Sequence, residues 1–247
     1  MAFVSRGHGA LARVGVAISH GFTGSPVSME PWAKYLAAEG FAVSLPLLPG
    51  HGTTWQELAK TPWQHWYAAY ERAYLELAAD CDVVFAAGLS MGGTLALRLA
   101  AHHPVAGIAV VNPGLTFLDP RARYSGVLKY LLKSVPAIGN DTKLAGVDEQ
   151  AYKRTPLAAV HQLARLFTDT TASLPQVTAP TLVFRSTEDH VVPESSIDAI
   201  RRSLGTDRLE VVPLPNSYHV ATLDNDAPLI FSRSTEFFKE HSGVRRT

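Results

Sequence analysis

The 247-residue sequence contains a single cysteine, Cys81. That rules out an intrachain disulfide and gives no sign of an oxidising compartment. Cys81 lies between Asp80 and Asp82 just ahead of an apolar run, where a small residue at a strand entrance is a simpler reading than a catalytic thiol. No H-E-x-x-H, clustered Cys/His or EF-hand spacing occurs, so no catalytic metal is expected. A G-x-G-x-x-G fingerprint and a Walker A loop are also missing, which speaks against pyridine nucleotides and ATP; no cofactor is expected. Charge of one sign is lacking, with Lys plus Arg at 22 and Asp plus Glu at 22. Nor is any basic run interleaved with aromatics, so nucleic acid is not an expected partner. The N-terminus has no long apolar stretch behind a basic start, and no window reaches the roughly 18 apolar residues of a membrane span. The expectation is a cytoplasmic protein, with peripheral contact at a lipid surface left open. The oligomeric state is not written in the composition.

What is present is an ordinary globular composition, 47% apolar and 18% charged, in a chain long enough for one sizeable core. Short apolar runs alternate with helix-length segments. Val14–Ser19, Phe41–Leu45, Val83–Ala87 and Ala106–Val111 read as buried strands; Met29–Glu39, Pro62–Ala79 and Met91–His103 read as helices between them. Near-continuous apolar strands separated by helices predict a mostly parallel sheet covered on both faces. From about Pro113 to Thr178 the alternation stops, leaving helical pieces at Gly126–Lys133, Asp148–Lys153 and Pro156–Thr168 and no convincing strand. Strands resume at Thr181–Ser186 and Arg208–Leu214, with helices at Pro193–Leu204 and Pro228–Glu240. An insertion of about 65 residues is far longer than an ordinary connection, and its expected role is a cap, residues 113–178, over an active site.

The chemistry centres on Gly88-Leu89-Ser90-Met91-Gly92. It follows one expected strand and opens one expected helix, the context a G-x-S-x-G nucleophile elbow requires. A sharp strand-to-helix turn lifts the serine hydroxyl clear of the backbone, and glycines are needed where side chains would collide across it. The helix start then presents N–H groups and a positive dipole end to negative charge forming beside Ser90. A chance G-x-S-x-G is common; strand before and helix after make this one a candidate nucleophile. His20-Gly21-Phe22-Thr23-Gly24, after the strand Val14–Ser19, would by itself be a glycine-rich turn. Paired with the elbow it supplies the second of two backbone donors that acyl transfer needs for its oxyanion, Phe22 beside Met91.

A serine hydroxyl needs a base, and the base needs a carboxylate. In the α/β-hydrolase fold the chain order is Ser, Asp or Glu, then His. Thr187-Glu188-Asp189-His190 follows one late strand and Asn216-Ser217-Tyr218-His219 follows the next, each beyond the carboxyl end where parallel sheets place their sites. Glu188 reads as a surface carboxylate, and His190 is too close in sequence to the acid to face it as a triad requires. The choice falls on Asp189 and His219. His51, in Pro49-Gly50-His51-Gly52, suits a turn-stabilising hydrogen bond better than proton transfer.

At HGFTGSP, LPGHGTT, GLSMGG, STEDHVVP and NSYHVATLD, and again at AIGND and YKRTP, the chain resembles small bacterial carboxylesterases and, more closely, bacterial monoacylglycerol lipases. The resemblance spans nearly the whole chain. It implies an α/β-hydrolase fold with a small helical cap, and hydrolysis of monoacylglycerols or related small esters. It further implies that Ile138 lines the acyl passage and that Glu149 hydrogen-bonds glycerol hydroxyls. Without it, Ile138 would read as a buried cap residue and Glu149 as a solvated helix carboxylate. The alternatives are a short-chain carboxylesterase, a thioesterase and, from another class, a non-catalytic small-molecule receptor on the same scaffold.

Overall fold

The computed structural model describes residues 2–244. In chain order the elements are β1 (Phe3–Ser5), β2 (Val14–Ser19), α1 (Glu30–Ala38), β3 (Ala42–Leu45), α2 (Trp55–Lys60), α3 (Trp63–Asp80), β4 (Val83–Leu89), α4 (Met91–His102) and β5 (Ile108–Val111). The inserted stretch carries α5 (Ser125–Leu128), β6 (Ser134–Pro136), β7 (Arg154–Pro156) and α6 (Leu157–Ser173). The chain closes with β8 (Thr181–Ser186), α7 (Ser195–Ser203), β9 (Leu209–Leu214) and α8 (Ala227–His241).

Seven strands form one sheet in the order β1-β3-β2-β4-β5-β8-β9. Every pair is parallel except β1 with β3. Successive side chains of a strand point to opposite faces, and both faces are buried. Val16 and Ile18 of β2 pack with Trp32 of α1 and Phe238 of α8 on one side. Ala17 joins Trp66 and Tyr70 of α3, Leu95 of α4 and Ile197 of α7 on the other. That two-sided burial is why the strands lack polar alternation. Because β2, β4, β5, β8 and β9 run parallel, the segments that follow them all emerge at one edge of the sheet.

Two expectations for the insertion fail. It contains a short antiparallel pair, β6 with β7, where no strand was expected. The stretch Asp148–Lys153 is not helical: Gln150 has φ 58° and its N–H donates to the Asp148 side chain at 2.8 Å. Such local side-chain bonding competes with a helix. Also unforeseen were β1 and α2.

Candidate active site

Ser90 sits between β4 and α4 with φ 57° and ψ −120°, outside the conformations a serine ordinarily adopts. The turn is possible because the residues two before and two after Ser90, Gly88 and Gly92, have no side chain. A Cβ on Gly92 would collide with the carbonyl oxygen of Ser19, and one on Gly88 with the backbone of Gly92. The Ser90 N–H donates to Val111 O at 2.9 Å, which fastens the elbow to the end of β5. A non-glycine residue held in a sparsely populated conformation points to function at that position.

The segment after β2 packs against this turn: a Cβ on Gly21 would lie 3.5 Å from the Cβ of Ser90. His20, fully buried, fixes it. The Leu48 N–H donates to His20 Nε2 at 3.2 Å, so the ring proton is on Nδ1, 2.9 Å from Gly21 O. A trans peptide directs its N–H opposite to its carbonyl, so holding Gly21 O sets the direction of the Phe22 N–H. Burial lowers His20 to about 4, which keeps the ring neutral. His51 lies edge-on to His20, with ring centroids 5.1 Å apart, and near Phe22 and Trp66. Its Nδ1 contacts Pro49 O at 3.2 Å, the turn role read from the sequence, and burial lowers it to about 3.

Asp189 follows β8 with no exposed side-chain surface. Its Oδ2 accepts from His219 Nδ1 at 3.0 Å and from Arg185 Nη1 at 2.7 Å. Its Oδ1 accepts the N–H groups of Val191 and Val192 at 2.9 and 2.8 Å. Burial by itself would raise this carboxyl; the charge and hydrogen bond of His219 and the two backbone donors outweigh it and hold it below the usual carboxylate range. An ionised carboxylate at Nδ1 stabilises the tautomer whose proton is there, leaving Nε2 free to accept one.

The rejected alternatives lie elsewhere. Glu188 contacts the Lys143 ammonium at 3.6 Å and His190 Nε2 at 3.3 Å, while His190 Nδ1 meets Asp141 at 2.8 Å. Both belong to an exposed ion cluster.

The inserted segment is fastened to the same edge. Tyr152 N–H donates to Thr23 O at 3.0 Å, its hydroxyl donates to Gly50 O at 2.8 Å, and Asp141 Oδ2 accepts the His219 N–H at 3.1 Å. Asp224 Oδ2 takes the N–H groups of Lys143 and Tyr218. Glu149 exchanges two hydrogen bonds with Asn140, at 2.7 and 2.9 Å. A Cβ on Gly24 would lie 3.9 Å from its other oxygen, Oε2, so Glu149 stands beside the glycine-rich segment after β2. Burial raises its carboxyl despite the Asn140 N–H and the nearby His219. Ile138 is 65% exposed, so it is not buried in packing within the insertion. Sequence reasoning missed Asp141, Asp224 and Asn112. Each makes at least one contact 74 to 107 residues distant, for which no local pattern exists.

Comparison with known proteins bears on the family and the fold. A model described as the alpha/beta hydrolase family matches residues 16–230. The chain is 45% identical over 231 residues to a thermostable monoacylglycerol lipase of Bacillus sp. (strain H-257), covering 93% of this chain and 92% of that one. A carboxylesterase of Bacillus subtilis (strain 168) is 26% identical over 226 residues, covering 91% and 92%. A solved structure from work on two metagenome-derived lipolytic enzymes, LipS and LipT, superposes with a TM-score of 0.92 at 40% identity and covers 97% of both chains.

Proposed function

The chain belongs to the alpha/beta hydrolase family, and on that premise we propose that it is a serine esterase cleaving monoacylglycerols to glycerol and fatty acid. The observation that carries the reading is the contact between His219 Nδ1 and the buried Asp189 carboxylate, at the sheet edge where Ser90 occupies a strained elbow. The 45% identity to a monoacylglycerol lipase supports the substrate class.

In this reading His219 Nε2 takes the Ser90 proton as Oγ bonds to the ester carbonyl carbon. The carbonyl electron pair moves onto oxygen, where the N–H groups of Phe22 and Met91 receive it; losing one such donor typically costs about 2.7–4 kcal/mol in the chemical step. Collapse breaks the bond to the glycerol oxygen, which leaves with the proton from His219. Water then gives a proton to His219 and adds to the acyl-enzyme, and breakdown of that adduct frees the fatty acid and returns the proton to Ser90. Asp189 stays ionised throughout. Residues 113–178 form the cap, Ile138 lines the acyl passage at its open side, and Glu149 receives glycerol hydroxyls. The cap's exposed apolar face rests transiently on the lipid surface that delivers substrate.

A fluorophosphonate probe should modify the wild-type protein at Ser90 and leave Ser90→Ala unlabelled. Initial rates on mono-, di- and triacylglycerols and on short aryl esters then define the substrate. Labelling with no preference for monoacylglycerol would make the protein a generalist carboxylesterase. No labelling would leave a receptor on a hydrolase scaffold.

A further inference from the structure

Directly after β5 stands a residue that the reaction above leaves unused. Asn112 is fully buried and its backbone is left-handed, with φ 45°. Asparagine reaches that region more cheaply than most residues other than glycine. Its carboxamide is engaged on both ends. Nδ2 donates to the carbonyl oxygen of His219 at 2.8 Å and to Ser186 Oγ at 2.9 Å, while Oδ1 accepts the Ser186 N–H at 2.9 Å. Only this orientation of the amide satisfies a carbonyl on one side and an N–H on the other. Ser186 Oγ in turn donates to Tyr218 O at 2.8 Å. One residue before Asn112, Val111 O accepts the Ser90 N–H; two residues after it, the Gly114 N–H donates to Ser90 O at 3.3 Å.

His219 lies five residues beyond the end of β9, outside the sheet ladder. Both of its main-chain polar groups are held by side chains: the N–H by Asp141 and the carbonyl by Asn112. The hydrogen bond from Nδ1 to Asp189 orients the ring but does not fix where the Cα stands. Ser186 is the last residue of β8, three before Asp189. One buried amide therefore touches the backbone of the base and the root of the acid's loop, and its own main chain follows directly on Val111, whose carbonyl accepts the Ser90 N–H.

We propose that Asn112 is a positioning residue: its carboxamide sets the distance of His219 from Ser90 and keeps the Asp189 loop in register with both. The assignment rests on the Ser90–Asp189–His219 reading. A misplacement of about 1 Å in a reacting group costs about a hundredfold in rate, so loss of this brace appears in kcat before it appears in substrate affinity.

Two substitutions separate the side chain from the backbone. Asn112→Gly removes the amide while accepting the left-handed φ without strain. Asn112→Asp keeps the shape but puts an oxygen against the His219 carbonyl. For each, kcat and KM on a soluble aryl ester, the second-order rate of fluorophosphonate labelling and the thermal midpoint are measured. Folded Asn112→Gly should lose about ten- to a hundredfold in kcat, with KM within about twofold, and labelling should slow in the same proportion. Asn112→Asp should be as impaired at pH 8, with its deficit against wild type narrowing as pH falls, because a protonated carboxyl can donate to His219 O. A folded Asn112→Gly labelled within twofold of the wild-type rate, or impaired in KM alone, overturns the proposal. If neither variant folds, Ser186→Ala decides: it removes the hydroxyl shared by Asn112 and Tyr218, and about a threefold or larger fall in kcat is expected, unchanged kcat being the refutation. Wild-type protein that fails to label at Ser90 refutes the triad reading itself, and the role of Asn112 with it.

Discussion

Asp189 keeps a negative charge where water does not reach it, which is costly unless every oxygen lone pair has a donor. Two backbone N–H groups, Arg185 and His219 meet that demand. Replacing it with asparagine preserves the shape but offers one oxygen where two accepted, and the amide favours the wrong imidazole tautomer. Asp189→Asn should remain folded while kcat on an aryl ester falls about 10³–10⁴-fold; a loss under tenfold would remove Asp189 from the role of orienting acid. Glu149 is the residue for which shape and charge separate most cleanly. Glu149→Gln can still accept from the Asn140 N–H, so the local geometry of the insertion should survive. If Glu149 receives glycerol hydroxyls as proposed, the charge offered to them is lost, at about 1.5–3 kcal/mol for a bond to a charged group. KM for monoacylglycerol should rise about tenfold or more with KM for a short aryl ester unchanged. Because burial raises the Glu149 carboxyl, it protonates at a higher pH than a free glutamate, and monoacylglycerol affinity should weaken on acidification before aryl-ester affinity does.

At the scale of elements, the elbow is the most demanding junction in the chain. Gly92 is the second residue of α4, where alanine is ordinarily preferred to glycine, yet an added methyl would strike the Ser19 carbonyl at the end of β2. Gly92→Ala should therefore lower the thermal midpoint despite alanine's better helix propensity, and slow Ser90 labelling as β2 and α4 are forced apart; a midpoint at or above wild type would disprove the close approach. This junction was legible in the sequence because local physics dictates it: glycines flank a serine between a strand pattern and a helix pattern. The strands were legible for a related reason, since a sheet buried on both faces leaves uninterrupted apolar runs such as VGVAIS and TLVFRS. The inserted segment was not. Strands β6 and β7 are three residues each and end in proline, too short to carry a period. The stretch around Glu149 takes its shape from side-chain bonds between Asn140, Asp148, Glu149 and Gln150, which leave no hydrophobic repeat. Ser90, Asp189 and His219 could be chosen by order along the chain, whereas Asn112 and Asp141 work across gaps of 107 and 78 residues, and their residue types are common in turns. Glu149 was reachable only through family resemblance.

Two conditions act on the molecule as a whole, acid and, in the proposed reading, a lipid surface, and each would meet a particular group of side chains. Burial lowers His20 to about 4 and His51 to about 3, against 6.5 for a free imidazole. Below pH 6.5 the unfolded chain therefore binds protons that the native protein refuses, so stability is complete above that pH and declines as it falls, His20 ceasing to contribute to the slope near pH 4 and His51 near 3. For His20 alone the loss is on the order of 3 kcal/mol. Urea unfolding should weaken steadily from pH 7 to 4.5, with a shallower slope in His51→Asn, and an unchanging free energy over that range would contradict it. In the proposed reading, lipid contact falls on the segment around α5. Val127, Tyr130, Leu131 and Leu132 are at least half exposed there, Leu131 at 82%, on the same insertion that Asp141 and Tyr152 fasten to the end of the sheet. Apolar side chains clustered on a surface ordinarily mark a contact, and Lys129 and Lys133 in the same stretch would favour anionic headgroups by about 1 kcal/mol each. Full burial of a leucine side chain yields roughly 1.5–3 kcal/mol, so Leu131→Asp should weaken sedimentation with phosphatidylcholine–phosphatidylglycerol vesicles about tenfold or more. Because the substitution is remote from Ser90 in sequence and solvent-facing, the rate on a soluble aryl ester should stay within twofold of wild type while the rate on dispersed monoacylglycerol drops. Equal losses on both substrates would mean that Leu131 supports the site's internal structure, and unchanged vesicle binding would mean that this apolar face meets something other than lipid.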